Sequence, residues 1–369
     1  MGSPCALTAR LYGPPSPAAR CSTGPDDTWW DPCSRSVVFH GPGDGGDAVS
    51  ALDERVRDVD AAIALGQALV RNLELVMLGS DDALLAAATA ALSGGHLLIE
   101  DVPGVGKTVL ARAIATSLGV ELSRVQGHPD LLPSDITGVS VFTPDTAQWD
   151  FRAGPVFAHV VLVDELNRTP PRTQSALLET MEERQVSVDG ESWPLPRPHM
   201  VIATQNPRSQ RGTFPLVESQ LDRFAIATPI GYPDAAHETR LALHAGGTYA
   251  LADLLPICTP EGWLSAQQAT ESVPVHQSVA EYAVEICRAT RTAPGVHLGA
   301  SPRAAIWLIR SAQAHAVLSS RSFVVPDDVK AVAVACLSHR LLTVDGDDSI
   351  GQSASVVRGI LETTPSPRP

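Results

Sequence analysis

Apolar positions along the chain fall into two periods. From Ala51 they recur at helical spacing, with Leu52, Val56, Val59, Ile63, Leu69 and Val70 sharing a face, and a second helix is predicted over residues 83–92, ended by Ser93-Gly94-Gly95. Short apolar runs then alternate with helical stretches. Residues 96–99 and 122–126 read as strands around a helix at 107–118, and 160–163 and 200–203 bracket another helix at 173–184. This alternation predicts an α/β fold with a parallel sheet between two helical layers. Two hairpins are expected beside it, one over 140–152 and one closed by Asp189-Gly190, a turn pair with a strong hairpin preference. Beyond Pro233 strand signals fade into four or five helices, at about 235–244, 261–269, 279–290, 303–318 and 327–341. The expected division is a tail at 1–50, an α/β core at 51–232 and an all-helical domain at 233–369.

Composition narrows the class. Residues 1–50 hold seven Gly and seven Pro without a period, the texture of a disordered tail. An apolar content of 44% over 369 residues suffices for two domains with a sizeable core. Lys+Arg of 27 against Asp+Glu of 41 gives −14, which argues against nucleic acid or anionic lipid as the main partner. The six cysteines include no C-x-x-C, and no apolar run approaches the roughly 18 to 20 residues of a membrane span. A cytoplasmic protein with reduced thiols and no membrane insertion is expected. Only two lysines occur, Lys107 and Lys330, and the first lies in the one phosphate-binding pattern.

That pattern is Asp101-Val102-Pro103-Gly104-Val105-Gly106-Lys107-Thr108, placed after a strand and opening a helix. Pro103 to Val109 are read as nucleotide-binding. Gly104 and Gly106 let the backbone approach phosphate, so that amides at the helix start face the anion. Lys107 would contact the β and γ phosphates of ATP, and Thr108 would offer its hydroxyl to Mg²⁺, which takes few protein ligands. Fifty-seven residues after Lys107, an apolar strand ends in Asp164-Glu165. Asp164 is the second Mg²⁺ residue, and Glu165 the general base that polarises the attacking water. Asn206 ends the next strand, within reach of the γ-phosphate. Arg223, ending a short helix in Leu221-Asp222-Arg223-Phe224, and Arg303, starting a later one, are candidates that spacing alone leaves open to a plain surface role.

Taken together, Leu98 to Thr108, Asp130-Leu131-Leu132-Pro133-Ser134-Asp135-Ile136-Thr137-Gly138, Asp164-Glu165-Leu166-Asn167-Arg168, the run Pro170 to Gly190, Gly212-Thr213-Phe214-Pro215, Gln220 to Phe224 and Gly299 to Ala304 resemble the MoxR family of AAA+ ATPases over about residues 51–345. The resemblance implies a P-loop core with a helical lid and a hexameric ring whose ATP sits between subunits. It implies that Asn206 is sensor 1, Arg303 sensor 2 and Arg223 the finger given to a neighbour, and that the two hairpins are the helix-2 insert and the pre-sensor-1 hairpin. It also implies chaperone-like work on a protein carrying a von Willebrand factor A domain. Two departures stand out: Asp101 at the first P-loop glycine, bearing on nucleotide affinity, and Gly127-His128, bearing on contacts near the insert.

Rival readings are a nucleotide-gated scaffold with negligible hydrolysis, against which Glu165 and Arg223 speak, and the ATPase subunit of a metal-chelatase complex. A GTPase is disfavoured because neither lysine follows Asn or Thr as the guanine-reading motif needs. A DNA helicase is disfavoured by the acidic balance.

Overall fold

A computed structural model of the chain describes residues 45–77, 79–145, 147–206, 213–243, 251–344 and 350–367. The predicted tail therefore lies outside the described residues up to residue 44. Helix α1 (Gly45–Val76) begins six residues before the expected boundary, and α2 (Asp81–Leu92) follows it. The α/β part then runs β1 (Leu97–Glu100), α3 (Lys107–Ser117), β2 (Leu122–Gln126), α4 (Pro133–Thr137), the hairpin β3 (Gly138–Thr143) and β4 (Gln148–Ala153), β5 (Val160–Asp164) and α5 (Pro171–Glu183). A second hairpin, β6 (Gln185–Val188) and β7 (Glu191–Pro194), precedes β8 (Met200–Gln205), α6 (Glu218–Leu221) and β9 (Ile226–Thr228).

The central sheet has the order β2-β5-β8-β1-β9 and every pairing in it is parallel. Alternation along its strands separates two apolar layers, because successive side chains of a strand point to opposite faces. Leu97, Ile99, Val160, Leu162, Met200, Ile202 and Ile226 join the layer with α1, α2 and α3. Leu98, Val161, Val163, Val201, Ala203 and Ala227 join the layer with α5. β9 was not expected from the sequence; three residues are too short to show a period, and only pairing with β1 defines it.

The remaining chain holds α7 (Ala235–Leu243), α8 (Pro260–Glu271), α9 (Gln277–Thr290), β10 (Val296–Leu298), α10 (Pro302–Leu318), α11 (Pro326–Leu337), β11 (Leu342–Thr343) and α12 (Ile350–Thr363). In α9 the buried residues Val279, Tyr282, Ala283, Ile286, Cys287 and Thr290 follow helical spacing. Ser301 caps α10 by accepting from the amide of Ala304, with Pro302 at the first helical position, as the sequence predicts. Two features go beyond the predicted helices: α12, and the antiparallel pairing of β10 with β11.

Residues 48–369 form one compact unit, and the apolar layer of the helical region is continuous with that of α1 to α3. Trp263, fully buried on α8, donates its indole N–H to the carbonyl of Ala91 at 2.9 Å, which docks the helical region on the end of α2. The two hairpins also touch, with the Phe151 and Trp193 rings stacked at 4.6 Å. Asp189 and Gly190 both adopt positive φ, the geometry an Asp-Gly hairpin turn requires. Among the described residues no helix is long and apolar enough to cross a membrane. Cys258, Cys287 and Cys336 are free thiols, and burial pushes Cys287 up to about 12.

Candidate functional site

Parallel register brings the carboxyl ends of β1, β5 and β8 to one edge, the place where an open α/β sheet binds ligands. There Pro103, Gly104, Gly106, Lys107, Thr108 and Val109 face Arg124, Gln126, Asp164, Glu165, Thr204 and Asn206 across a cavity of about 390 Å³. Such a volume lies in the range of small-ligand pockets. Val105, also read as nucleotide-binding, lies between two lining residues, but its side chain packs against the apolar core instead. Gly106 is the N-cap of α3 at φ 99°, a left-handed conformation that a side chain resists, and no side chain caps the helix. The first amides of α3 are thus left for an anion.

Lys107 donates its ammonium to the carbonyl of Asp101. Burial lowers its pKa from the ordinary lysine value, and the carboxylates of Asp101, Asp164, Glu165 and Glu100 partly offset this. A partly desolvated ammonium is prepared for phosphate. Asp164 accepts from Arg124 Nε at 2.7 Å and from the hydroxyl of Thr204 at 3.4 Å. Glu165 sits at φ 56°, a strained setting for a non-glycine residue that turns its side chain out of the strand direction. Its amide donates to Thr204 Oγ1 at 2.9 Å, and its carboxylate accepts from Asn206 Nδ2 at 3.1 Å, Arg168 Nη1 at 2.9 Å and Gln126 Nε2 at 3.4 Å. Asn167 completes the frame by donating to the carbonyl of Asn206 at 3.0 Å.

A phosphate cradle at a helix start, an acid pair at the end of β5 and an amide holding the second acid have the arrangement of a P-loop ATPase site. Comparison with known proteins agrees. Residues 96–226 match the ATPase family associated with various cellular activities (AAA), and residues 288–358 match the AAA lid domain. The chain is 36% identical over 307 residues to the chaperone MoxR1 of Mycobacterium tuberculosis, covering 80% of this chain and 81% of that one. It belongs to the MoxR family of AAA+ ATPases. It is also 43% identical over 304 residues to the uncharacterised protein YeaC of Bacillus subtilis, covering 82% and 95% of the two chains. A solved structure of a candidate ATPase from Cytophaga hutchinsonii superposes with a TM-score of 0.75 at 30% identity, covering 88% of this chain and all of that one.

Within this MoxR-family frame, the structure groups the predicted site residues in two sets. Lys107, Thr108, Asp164, Glu165 and Asn206 share the cavity. Arg223 and Arg303 do not line it; both reach Glu182 at the end of α5, Arg223 Nη2 at 3.1 Å from Oε2 and Arg303 Nη2 at 2.5 Å from Oε1. The segment carrying Arg223 is clamped by Arg340, which the sequence did not single out. Arg340 is 4% exposed and donates to Asp222 Oδ1 at 2.8 Å, to the carbonyl of Phe224 at 2.6 Å and to that of Ala225 at 3.3 Å. Ser301 adds a hydroxyl to the same Asp222 carboxylate at 2.9 Å.

Both departures acquire a reason. The Asp101 carboxylate is not aimed at the cavity; it accepts from the amides of Val102 at 2.7 Å, Ile230 at 2.7 Å and Gly231 at 2.6 Å, tying the P-loop to the joint before the helical region. Gly127 donates to the carbonyl of Asp164 at 2.7 Å, and a Cβ there would lie 2.2 Å from the carbonyl of Glu165. It therefore serves the close approach of two backbones beneath the acid pair. Arg124, Gln126, Arg168 and Thr204 were also missed as site residues. The signal for the first two was polar residues at alternate positions of β2, on the edge that meets Asp164.

Proposed function

We propose that this chain hydrolyses ATP with Mg²⁺ at a site completed between neighbouring subunits of a ring, and uses the turnover to remodel or mature a protein client.

 
The observation that carries this is the placing of Glu165: a strained backbone and three side-chain donors hold its carboxylate at the cavity shared by Lys107, Thr108 and Asp164. As general base it would take a proton from water attacking the γ-phosphate, a role worth about 10²- to 10⁴-fold. Asn206, bonded to that carboxylate, would orient the water as sensor 1. The Thr108 hydroxyl and the Asp164 carboxylate fit Mg²⁺, a hard cation that keeps most of its water and takes one or two protein oxygens. When bound, Mg²⁺ neutralises charge on the β and γ phosphates. Lys107 and the amides of α3 supply the rest of the phosphate binding.

Arg223 and Arg303 form a pair outside their own cavity. We assign Arg223 as the finger for a neighbouring subunit's γ-phosphate and Arg303 as sensor 2. A finger contributes about 10³- to 10⁵-fold in related phosphoryl transfers, so assembly would govern the rate. The core at 51–232 and the lid at 233–369 would move about the joint that Asp101 grips. A hexamer, a cytoplasmic setting and a client with a von Willebrand factor A domain rest on the family resemblance, and the chaperone name of the mycobacterial relative supports a protein client.

ATP turnover per subunit, measured across a protein concentration series with Glu165→Gln as the blank, tests this reading. A rate that climbs with concentration and vanishes in the variant supports a shared site. A flat background rate beside measurable ATP binding would favour a nucleotide-gated scaffold. Co-purification with a von Willebrand factor A domain protein, or with chelatase subunits, decides the client.

A further inference from the structure

A second cavity, of about 190 Å³, lies at the seam between the α/β core and the helical region. Three arginines line it: Arg184, which ends α5, Arg197, just before β8, and Arg310 on α10. Glu271, at the end of α8, is the one acid on its wall, and it is taken by Arg310 at 2.8 Å. Neither Arg184 nor Arg197 makes a side-chain hydrogen bond or ion pair among the described residues. Burial lowers the pKa of Arg184, and the charges of Arg197 and Arg310 lower it further, with Glu271 opposing them. The wall thus carries two positive charges beyond its acid, in a protein whose net charge is −14. Like charges gathered around a partly desolvated space are unfavourable until an anion joins them.

We propose that this cavity binds one small phosphoryl anion, orthophosphate or pyrophosphate, at a site separate from the P-loop. Its volume is below the range of drug-sized ligand pockets and suits a small anion better than a whole nucleotide. A tetrahedral anion offers oxygens in several directions and can engage several guanidinium forks, whereas one carboxylate serves a single fork. Arg184 and Arg197 come from the core and Arg310 from the helical region, so the bound anion bridges the two across their seam.

The test is calorimetric titration of orthophosphate and of pyrophosphate into the full chain carrying Lys107→Ala, which removes the phosphate-binding lysine of the P-loop, in chloride buffer. Saturable binding of one anion per chain is expected. Arg197→Gln and Arg184→Gln should each weaken it at least tenfold, and Glu271→Gln, which frees Arg310, should tighten it. A merely structural role for these residues would not produce effects of opposite sign. Thermal unfolding without added anion identifies any variant that fails to fold, and Arg184 and Arg197 are both exposed residues, so neither substitution opens a void in the core. The proposal is overturned by absence of saturable binding, or by binding that the folded arginine variants leave unchanged. Loss of ring assembly in the arginine variants without any anion binding would overturn it too, and would make the seam a contact for a neighbouring chain.

Discussion

Asp101→Ala should loosen the joint between the P-loop and the helical region. The carboxylate accepts from the amides of Ile230 at 2.7 Å and Gly231 at 2.6 Å, about 130 residues away in sequence, and from the adjacent amide of Val102. Hydrogen bonds to a charged group contribute about 1.5–3 kcal/mol each, and a buried donor left without a partner carries a further desolvation cost. Ile230 is 7% exposed, so water replaces its lost acceptor poorly. Discounting for the half-buried position of Asp101, the two long-range bonds amount to about 3 kcal/mol. At about 1.4 kcal/mol per tenfold, that is roughly a hundredfold in the local opening equilibrium. Native-state hydrogen exchange should show the amides of Ile230 and Gly231 exchanging about a hundredfold faster, while the centre of β8 is unchanged. ATP affinity should fall with them, because the carbonyl of Asp101 also receives Lys107. Unaltered exchange at both amides would refute the view that Asp101 is a strut.

Arg340→Met should cost about 3–5 kcal/mol in urea unfolding, because it leaves Asp222 short of its buried partner and orphans the carbonyls of Phe224 and Ala225; a loss below about 1 kcal/mol would contradict the clamp. Arg124→Ala, by releasing Asp164 from its ion pair, should lower the Mg²⁺ concentration giving half-maximal turnover, and an unchanged Mg²⁺ titration would exclude competition at that carboxylate. Acid should destabilise the fold well before carboxylates titrate. Burial pulls His96 from 6.5 to about 3 and His199 from 6.5 to about 4, so below pH 6.5 the unfolded chain binds protons that the folded chain refuses. Stability is then full above pH 6.5 and falls by about 1.4 kcal/mol per pH unit for each histidine down to about pH 4. Denaturant midpoints at pH 7 and pH 5 measure this, and equal midpoints would sink the reading.

The phosphate loop and the acid pair were legible because each is local. Gly106, Lys107 and Thr108 act from one turn, and Asp164 and Glu165 from one strand end, so short runs of sequence carry their chemistry. The alternating strands were legible for a similar reason, since burial on both faces leaves continuous apolar runs such as Val160 to Val163. β9, β10 and β11 were not, because two or three residues show no period and their pairing partners lie far away in sequence.

By itself, then, the sequence determined the fold class, the Ser301-Pro302 start of α10 and the run from Gly106 to Thr108 that lines the cavity with Asp164 and Glu165, all of which depend on neighbours within a turn or a strand. Only the tertiary structure decided that Asp101 grips Ile230 and Gly231, that Arg340 seats the segment bearing Arg223, and that Arg184, Arg197 and Arg310 surround one cavity. A charged side chain has the same composition whether it is solvated or paired. Which of the two it becomes depends on chain segments that a local pattern cannot see, brought within hydrogen-bond reach by the packing of helices on the sheet.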